Sequence, residues 1–184
     1  MAKKMGRVLV VDLEATCWDG LPPEGETSDI IEIGLCVVEL ATLERTEKRS
    51  LIVRPERSRV SEFCTKLTTL TPEQVEAGMA YAEACRILEK EFDSRQRAWL
   101  SYGDYDRTMI EGQCRQTGVR NPFGGRHTNL KTLWAMAHAL PYEIGMAQAV
   151  NMAGLTLEGT HHRGDDDAWN IAALFVELMR KLRS

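Results

Sequence analysis

Three places in the 184-residue sequence set reactive side chains at informative spacings. The first is Asp12-Leu13-Glu14, which ends the apolar run Val8-Leu9-Val10-Val11. In an extended strand alternate residues share a face, so Val8, Val10, Asp12 and Glu14 point the same way. Two carboxylates side by side at the end of an apolar strand repel each other and lose hydration. That arrangement is costly unless a cation or dense hydrogen bonding compensates. A hard, oxygen-seeking ion such as magnesium is the natural partner. Taken alone, the pair also fits two solvated acids just beyond a strand.

The second place is Ser101-Tyr102-Gly103-Asp104-Tyr105-Asp106. Counting along a helix from Asp106, the residues that share its side are Met109, Ile110 and Cys114. From Asp104 they are Arg107, Thr108 and Gly112. Asp104 therefore reads as an N-cap or a solvated acid, and Asp106 as an inward-facing acid at a helix start. An ordinary satisfied cap would also fit Asp106.

The third is His161-His162-Arg163-Gly164-Asp165-Asp166-Asp167, leading the last apolar-periodic segment. Asp167 heads the row Ile171, Leu174, Leu178 and Leu182, which should face a core. Asp166 heads Asn170, Ala173, Glu177 and Arg180, which should face solvent. Periodicity does not exclude Asp165, in line with Trp169, Ala172 and Val176. Two histidines before an inward acid place a candidate base beside a candidate ligand, although acids are common at helix N-termini, where the macrodipole favours them.

The elements that must carry these groups are legible in outline. Residues 7–14 read as a strand, and 30–40 and 44–53 as an antiparallel hairpin. Thr71-Pro72-Glu73-Gln74 carries an N-cap, a proline at the first helical position and a capping box. Helices are expected at 81–92, at 105–117 closed by Gly118, at 130–140, at 143–153 beyond Pro141, and at 165–182, with a short strand at 98–102. Three strands, helices, a strand and more helices suit a mixed α/β sheet with helices on its faces. No repeat or linker interrupts the chain, so one domain over residues 1–184 is expected.

Composition is that of an ordinary soluble globular protein, 43% hydrophobic and 27% charged. No run approaches the roughly 18 apolar residues needed to span a bilayer, so no membrane partner is expected. The basic start at residues 1–6 leads into a short apolar stretch ended by Asp12, unlike a signal peptide. Five cysteines, at 17, 36, 64, 85 and 114, include no Cys-x-x-Cys pair, which argues against a disulfide framework or zinc knuckle and fits a cytoplasmic setting. At a net charge of −4 the chain lacks the basic field that dedicated nucleic-acid binders usually carry, which argues against a protein that wraps a long duplex.

Together, the strand-borne Asp-x-Glu, Asp106 and His162-x-x-x-x-Asp167 resemble the DEDDh 3′–5′ exonucleases of the RNase H-like superfamily. Asp12-Leu13-Glu14-Ala15-Thr16-Cys17, Phe63-Cys64-Thr65-Lys66-Leu67-Thr68, Leu70-Thr71-Pro72-Glu73-Gln74-Val75 and Asn129-Leu130-Lys131-Thr132-Leu133 further resemble the short exoribonucleases related to enzymes that trim small interfering RNA and histone-mRNA ends. The resemblance spans about residues 7–180. It departs at Leu13, usually Phe, and at Thr69, where glycine is common. Little chain precedes the first strand, so the extra nucleic-acid-binding domain of the animal relatives is not expected.

The resemblance implies an RNase H-like mixed sheet and an activity that releases nucleoside 5′-monophosphates from RNA, or alternatively DNA, 3′ ends. It implies two divalent ions, Mg2+ or Mn2+, held by Asp12, Glu14, Asp106 and Asp167. His162 would be the general base and His161 its rival. Backbone at Ala15 and Thr16, with Trp18, would meet the terminal nucleotide. Arg120, Arg126, His127 and Lys131 form a loose basic group that could meet phosphates. A haloacid-dehalogenase-like phosphatase with Asp12 as nucleophile, and an inactive nucleic-acid-binding module, are the competing expectations.

Overall fold

The computed structural model describes residues 5–184, so part of the basic start read above, residues 1–4, lies outside the described residues. Five strands form one sheet in the order β3-β2-β1-β4-β5. They are β1 (Arg7–Ala15), β2 (Ile30–Glu39), β3 (Glu44–Ile52), β4 (Ala98–Ser101) and β5 (His127–Asn129). The β1–β2–β3 meander is antiparallel, while β4 and β5 add in parallel on the other side of β1. This is the expected mixed sheet, with β1 at its centre.

β1 and β2 read as nearly continuous apolar runs because both sheet faces are covered. Leu9, Val11, Ile33 and Leu35 enter one core with Leu88 of α3 (Tyr81–Phe92) and Ile110 of α4 (Tyr105–Thr117). Val8, Val10, Cys36 and Val38 enter the other, with Trp134 of α5 (Leu130–Ala137), Val150 of α6 (Met146–Met152) and Ile171 and Leu174 of α7 (Gly164–Arg183). Edge strand β3 is mostly exposed and carries Glu44, Arg45, Glu47, Lys48 and Arg49. Charge at an open edge discourages pairing with another chain.

Several boundaries differ from the sequence reading. β5 has only three residues, too few for a period-2 signal, and it takes His127 out of the expected basic group. The His127 ring packs on Trp99 at 4.3 Å between centroids, and its Nε2 lies 2.8 Å from the Ser101 hydroxyl. Arg126 donates to the Gln96 carbonyl, and Lys131 lies 3.9 Å from Glu143. The last two internal helices are shorter than 130–140 and 143–153, because the chain between Ala137 and Met146 turns around Pro141. Leu182, placed on the core row, is 75% exposed, one residue from the end of α7.

Two short helices connect β3 to α3. In α2 (Pro72–Glu76) the capping box between Thr71 and Gln74 forms as expected. α1 (Glu62–Thr68) ends at Thr69, whose φ of 63° is left-handed. A β-branched residue is strained in that conformation, whereas glycine is not. Thr69 is also exposed, so its side chain contributes little packing. Thr69→Gly should therefore stabilise the fold by about 1 kcal/mol, a rise of roughly 2–4 °C in melting temperature for a chain of this size. A lower melting temperature in that variant would refute the strain argument.

Candidate active site

The site is assembled from three elements that meet where β1 ends. Asp12 and Glu14 are paired in register with Gly34 and Glu32 of β2. The first turn of α7 crosses the sheet at Gly34, where a Cβ would lie 1.8 Å from the Gly164 carbonyl carbon. Only two glycines permit this approach, and it brings Asp167, one turn further on, against the end of β1. Carboxylate oxygens of Asp12, Glu14 and Asp167 lie within 4.8 Å of one another, a grouping able to hold a metal ion.

Asp106 joins them from the start of α4. Its Oδ1 accepts a 3.0 Å hydrogen bond from the backbone N–H of Leu13, the residue between Asp12 and Glu14. Asp104 occupies the N-cap position of α4, but its side chain does not cap the helix and instead meets Asn129 and Arg107. The four carboxylates expected to act together therefore converge.

Their electrostatics are unfavourable without a cation. Burial, followed by repulsion from Asp106, Glu14 and Asp167, holds the Asp12 carboxyl well above the usual range. Burial and repulsion from Asp167, Glu32 and Asp106 push Glu14 up to about 9. Burial pushes Asp106 to about 6, opposed by hydrogen bonds from the Leu13 N–H and Ser101. A divalent ion at these oxygens would remove the repulsion that disfavours the charged forms.

The histidines enter on residues 158–163. The His161 ring places Nδ1 3.0 and 3.1 Å from the two Asp167 oxygens, and His162 reaches the same carboxylate through its backbone N–H at 2.9 Å. The rings stack with centroids 4.0 Å apart. The side chain touching Asp167 is thus that of His161, although the spacing singled out His162. Burial and the neighbouring His161 lower the pKa of His162, keeping its imidazole neutral near pH 7.

Asp166 and Asn170, read as a solvent-facing row, hold this segment in place. Asp166 accepts from the Thr160 N–H at 2.7 Å and pairs with Lys48. Asn170 is 1% exposed and bonds both the N–H and the carbonyl of Glu158. Periodicity failed here because the segment leading into α7 folds back over the helix's expected outer face. Asp165 lies toward Lys48, outside the cleft.

The groups surround an open cleft of about 320 Å³. Ala15 lines it, as do Cys17, Leu67, Tyr102, Tyr105 and Met146, none of which the sequence reading selected. Thr16 does not line it: its N–H bonds Asp29, its carbonyl accepts from Ser28, and its hydroxyl is shared by the Asp29 N–H and Ser58. Trp18 lies just beyond the lining, half exposed. The most informative omission is Glu32, fully buried beside Glu14. A lone acid inside Ile30-Ile31-Glu32-Ile33 was the available signal.

The exonuclease family (RNase_T) matches residues 9–175, which takes in every group of this site. The chain belongs to the exonuclease family. Snipper, a 3′–5′ exonuclease of Drosophila melanogaster, is 27% identical over 94% of this chain and 69% of its own length. The 3′–5′ exoribonuclease 1 of Mus musculus is 28% identical over 94% of this chain, which spans only 53% of that relative. The solved nuclease domain of 3′hExo, a DEDDh family member bound to rAMP, superposes with a TM-score of 0.87 at 25% identity over 96% of this chain and 92% of that one. The fold is thus the RNase H-like exonuclease fold, and the phosphatase reading of Asp12 falls with the family assignment. Among the described residues no helix is long and apolar enough to cross a membrane.

Proposed function

We propose that this chain, acting as a single exonuclease domain, removes nucleotides from the 3′ ends of single-stranded RNA or short 3′ overhangs as nucleoside 5′-monophosphates. The observation that carries the reading is the meeting of Asp12, Glu14 and Asp167 within 4.8 Å, with Asp106 tied to the same strand end. Acids so close, with Asp12 and Glu14 raised by burial and then by repulsion, suit two divalent ions, magnesium or manganese. When bound, such ions acidify the attacking water and offset charge on the scissile phosphate and the departing 3′ oxygen.

The protein's own groups supply position and proton transfer. Asp12, Glu14, Asp106 and Asp167 hold the ions. His162, kept neutral by burial, accepts the proton of the attacking water. Backbone at Ala15 and the rings of Tyr102 and Tyr105 border the space for a terminal nucleotide, where aromatic faces stack on any base. Five free thiols support a reducing, cytoplasmic setting.

Support for RNA comes from the mouse relative, an exoribonuclease, and from the rAMP held by the superposed nuclease domain. Discrimination against DNA would rest on the 2′-hydroxyl, which can donate and accept a hydrogen bond. The test is pure protein with 5′-labelled RNA and DNA, single- and double-stranded, in magnesium, manganese or chelator. An RNA with one 2′-deoxy residue at its 3′ end should lose that residue more slowly and be trimmed normally thereafter. Indifference to that hydroxyl, with faster digestion of DNA, would place the chain among deoxyribonucleases.

A further inference from the structure

Glu32 is the most buried charged side chain near the cleft, with 0% exposure, and the chemistry described above does not use it. Its carboxylate accepts from the Ser50 hydroxyl at 2.5 Å, from Arg163 Nε at 3.2 Å and Nη2 at 3.1 Å, and from the Gly164 N–H at 3.0 Å. Arg163 follows His162 directly, and His162 holds a left-handed φ of 66°. The short segment 162–164 is therefore tied at one end to Asp167, through the His162 N–H, and at the other to Glu32.

A buried ion pair contributes little net stability compared with apolar groups of similar volume, because desolvation offsets attraction. Glu32 shares its face of β2 with Cys36 and Val38, which enter the core under α7, so an apolar residue would suit that position. What such a residue would not do is fix the direction in which α7 begins. The Gly34–Gly164 contact sets how close the helix comes, while the two-pronged Arg163–Glu32 pair sets its rotation.

We propose that Glu32 and Arg163 are positioning residues, which fix the segment 162–164 so that the His162 ring and the Asp167 carboxylate are presented together to the substrate. This rests on the reading of Asp12, Glu14, Asp167 and His162 as the reacting groups.

The test compares Arg163→Met, Arg163→Lys, Glu32→Gln and the double variant Glu32→Gln with Arg163→Met, on 5′-labelled RNA below every variant's melting temperature. Arg163→Met should lower kcat by about 10–100-fold, the scale of a misplacement near 1 Å, with KM little changed. Arg163→Lys, which keeps the charge and one prong, should recover part of the loss. The double variant should stay as slow as the single ones although it leaves no unpaired charge. It should also need several-fold more manganese to gain its full thermal stabilisation, since Asp167 lies one turn from Gly164. Recovery of turnover in the double variant would show that the pair acts only through charge balance and would overturn the proposal. Wild-type kcat in Arg163→Met would do the same, whatever its melting temperature. Should Glu32→Gln fail to fold, the two Arg163 variants decide, because that side chain is partly exposed. An active Asp12→Asn variant would instead sink the underlying reading of the site.

Discussion

Asp12→Asn is expected to remove nearly all turnover, while the metal-free variant should melt no lower than the wild type. The first half follows from the place of Asp12 between Glu14 and Asp167, where an amide offers a weaker ligand and no charge. The second follows from its surroundings, because the Asp12 charge is opposed by burial and by Asp106, Glu14 and Asp167. Removing it relieves repulsion in the folded state. Asp167→Asn should be equally inactive.

Manganese should raise the melting temperature of the wild type and leave Asp12→Asn nearly unmoved. An ion at about 100 times its dissociation constant stabilises a folded protein by about 2.7 kcal/mol, or roughly 5–10 °C for a chain of this length. The effect should grow with pH. Glu14 is raised from 4.5 to about 9, so the stability linked to its protonated form is complete below pH 4.5 and is lost as pH rises toward 9. Metal-free protein should accordingly melt higher at pH 5 than at pH 8, with manganese closing most of that gap. Hydrolysis that continues unchanged in chelator would end the metal reading.

The residues most legible in sequence were those on regular elements. A period of two put Asp12 and Glu14 on one face of β1, and helical periods turned Asp106 and Asp167 inward, as the structure shows. Legibility failed where the chain's neighbours, and not its own period, set burial. Asn170 lies on what an isolated helix would expose, yet residues 158–162 cover it. β5 owes its existence to pairing with β4 over three residues and has no pattern of its own. Glu32 was hidden for the opposite reason. Its strand was recognised by its apolar run, and the single acid within that run became meaningful only once Arg163 and Gly164, more than a hundred residues away, were placed against it.

His162→Ala should lower kcat by about 10²–10⁴, the usual worth of a positioned general base, and His161→Ala should cost far less. The two rings stack at the cleft edge, so proximity alone does not separate them. Their surroundings do. His161 is exposed, and its Nδ1 faces both oxygens of Asp167. It also engages the oxygens that a cation would need. His162 meets Asp167 only through its backbone, which leaves both ring nitrogens outside that contact, and burial keeps the ring neutral. A lowered pKa means that the base form is already present at neutral pH and is lost only as pH falls below the ordinary 6.5. The wild-type rate should therefore be flat above pH 7 and decline on the acid side, and His162→Ala should lose that acid limb along with its rate. Melting with manganese should show the metal still bound in both histidine variants, separating loss of the base from loss of the ions. Equal losses in the two variants would overturn the assignment, and a larger loss in His161→Ala would transfer the role to the ring that touches Asp167.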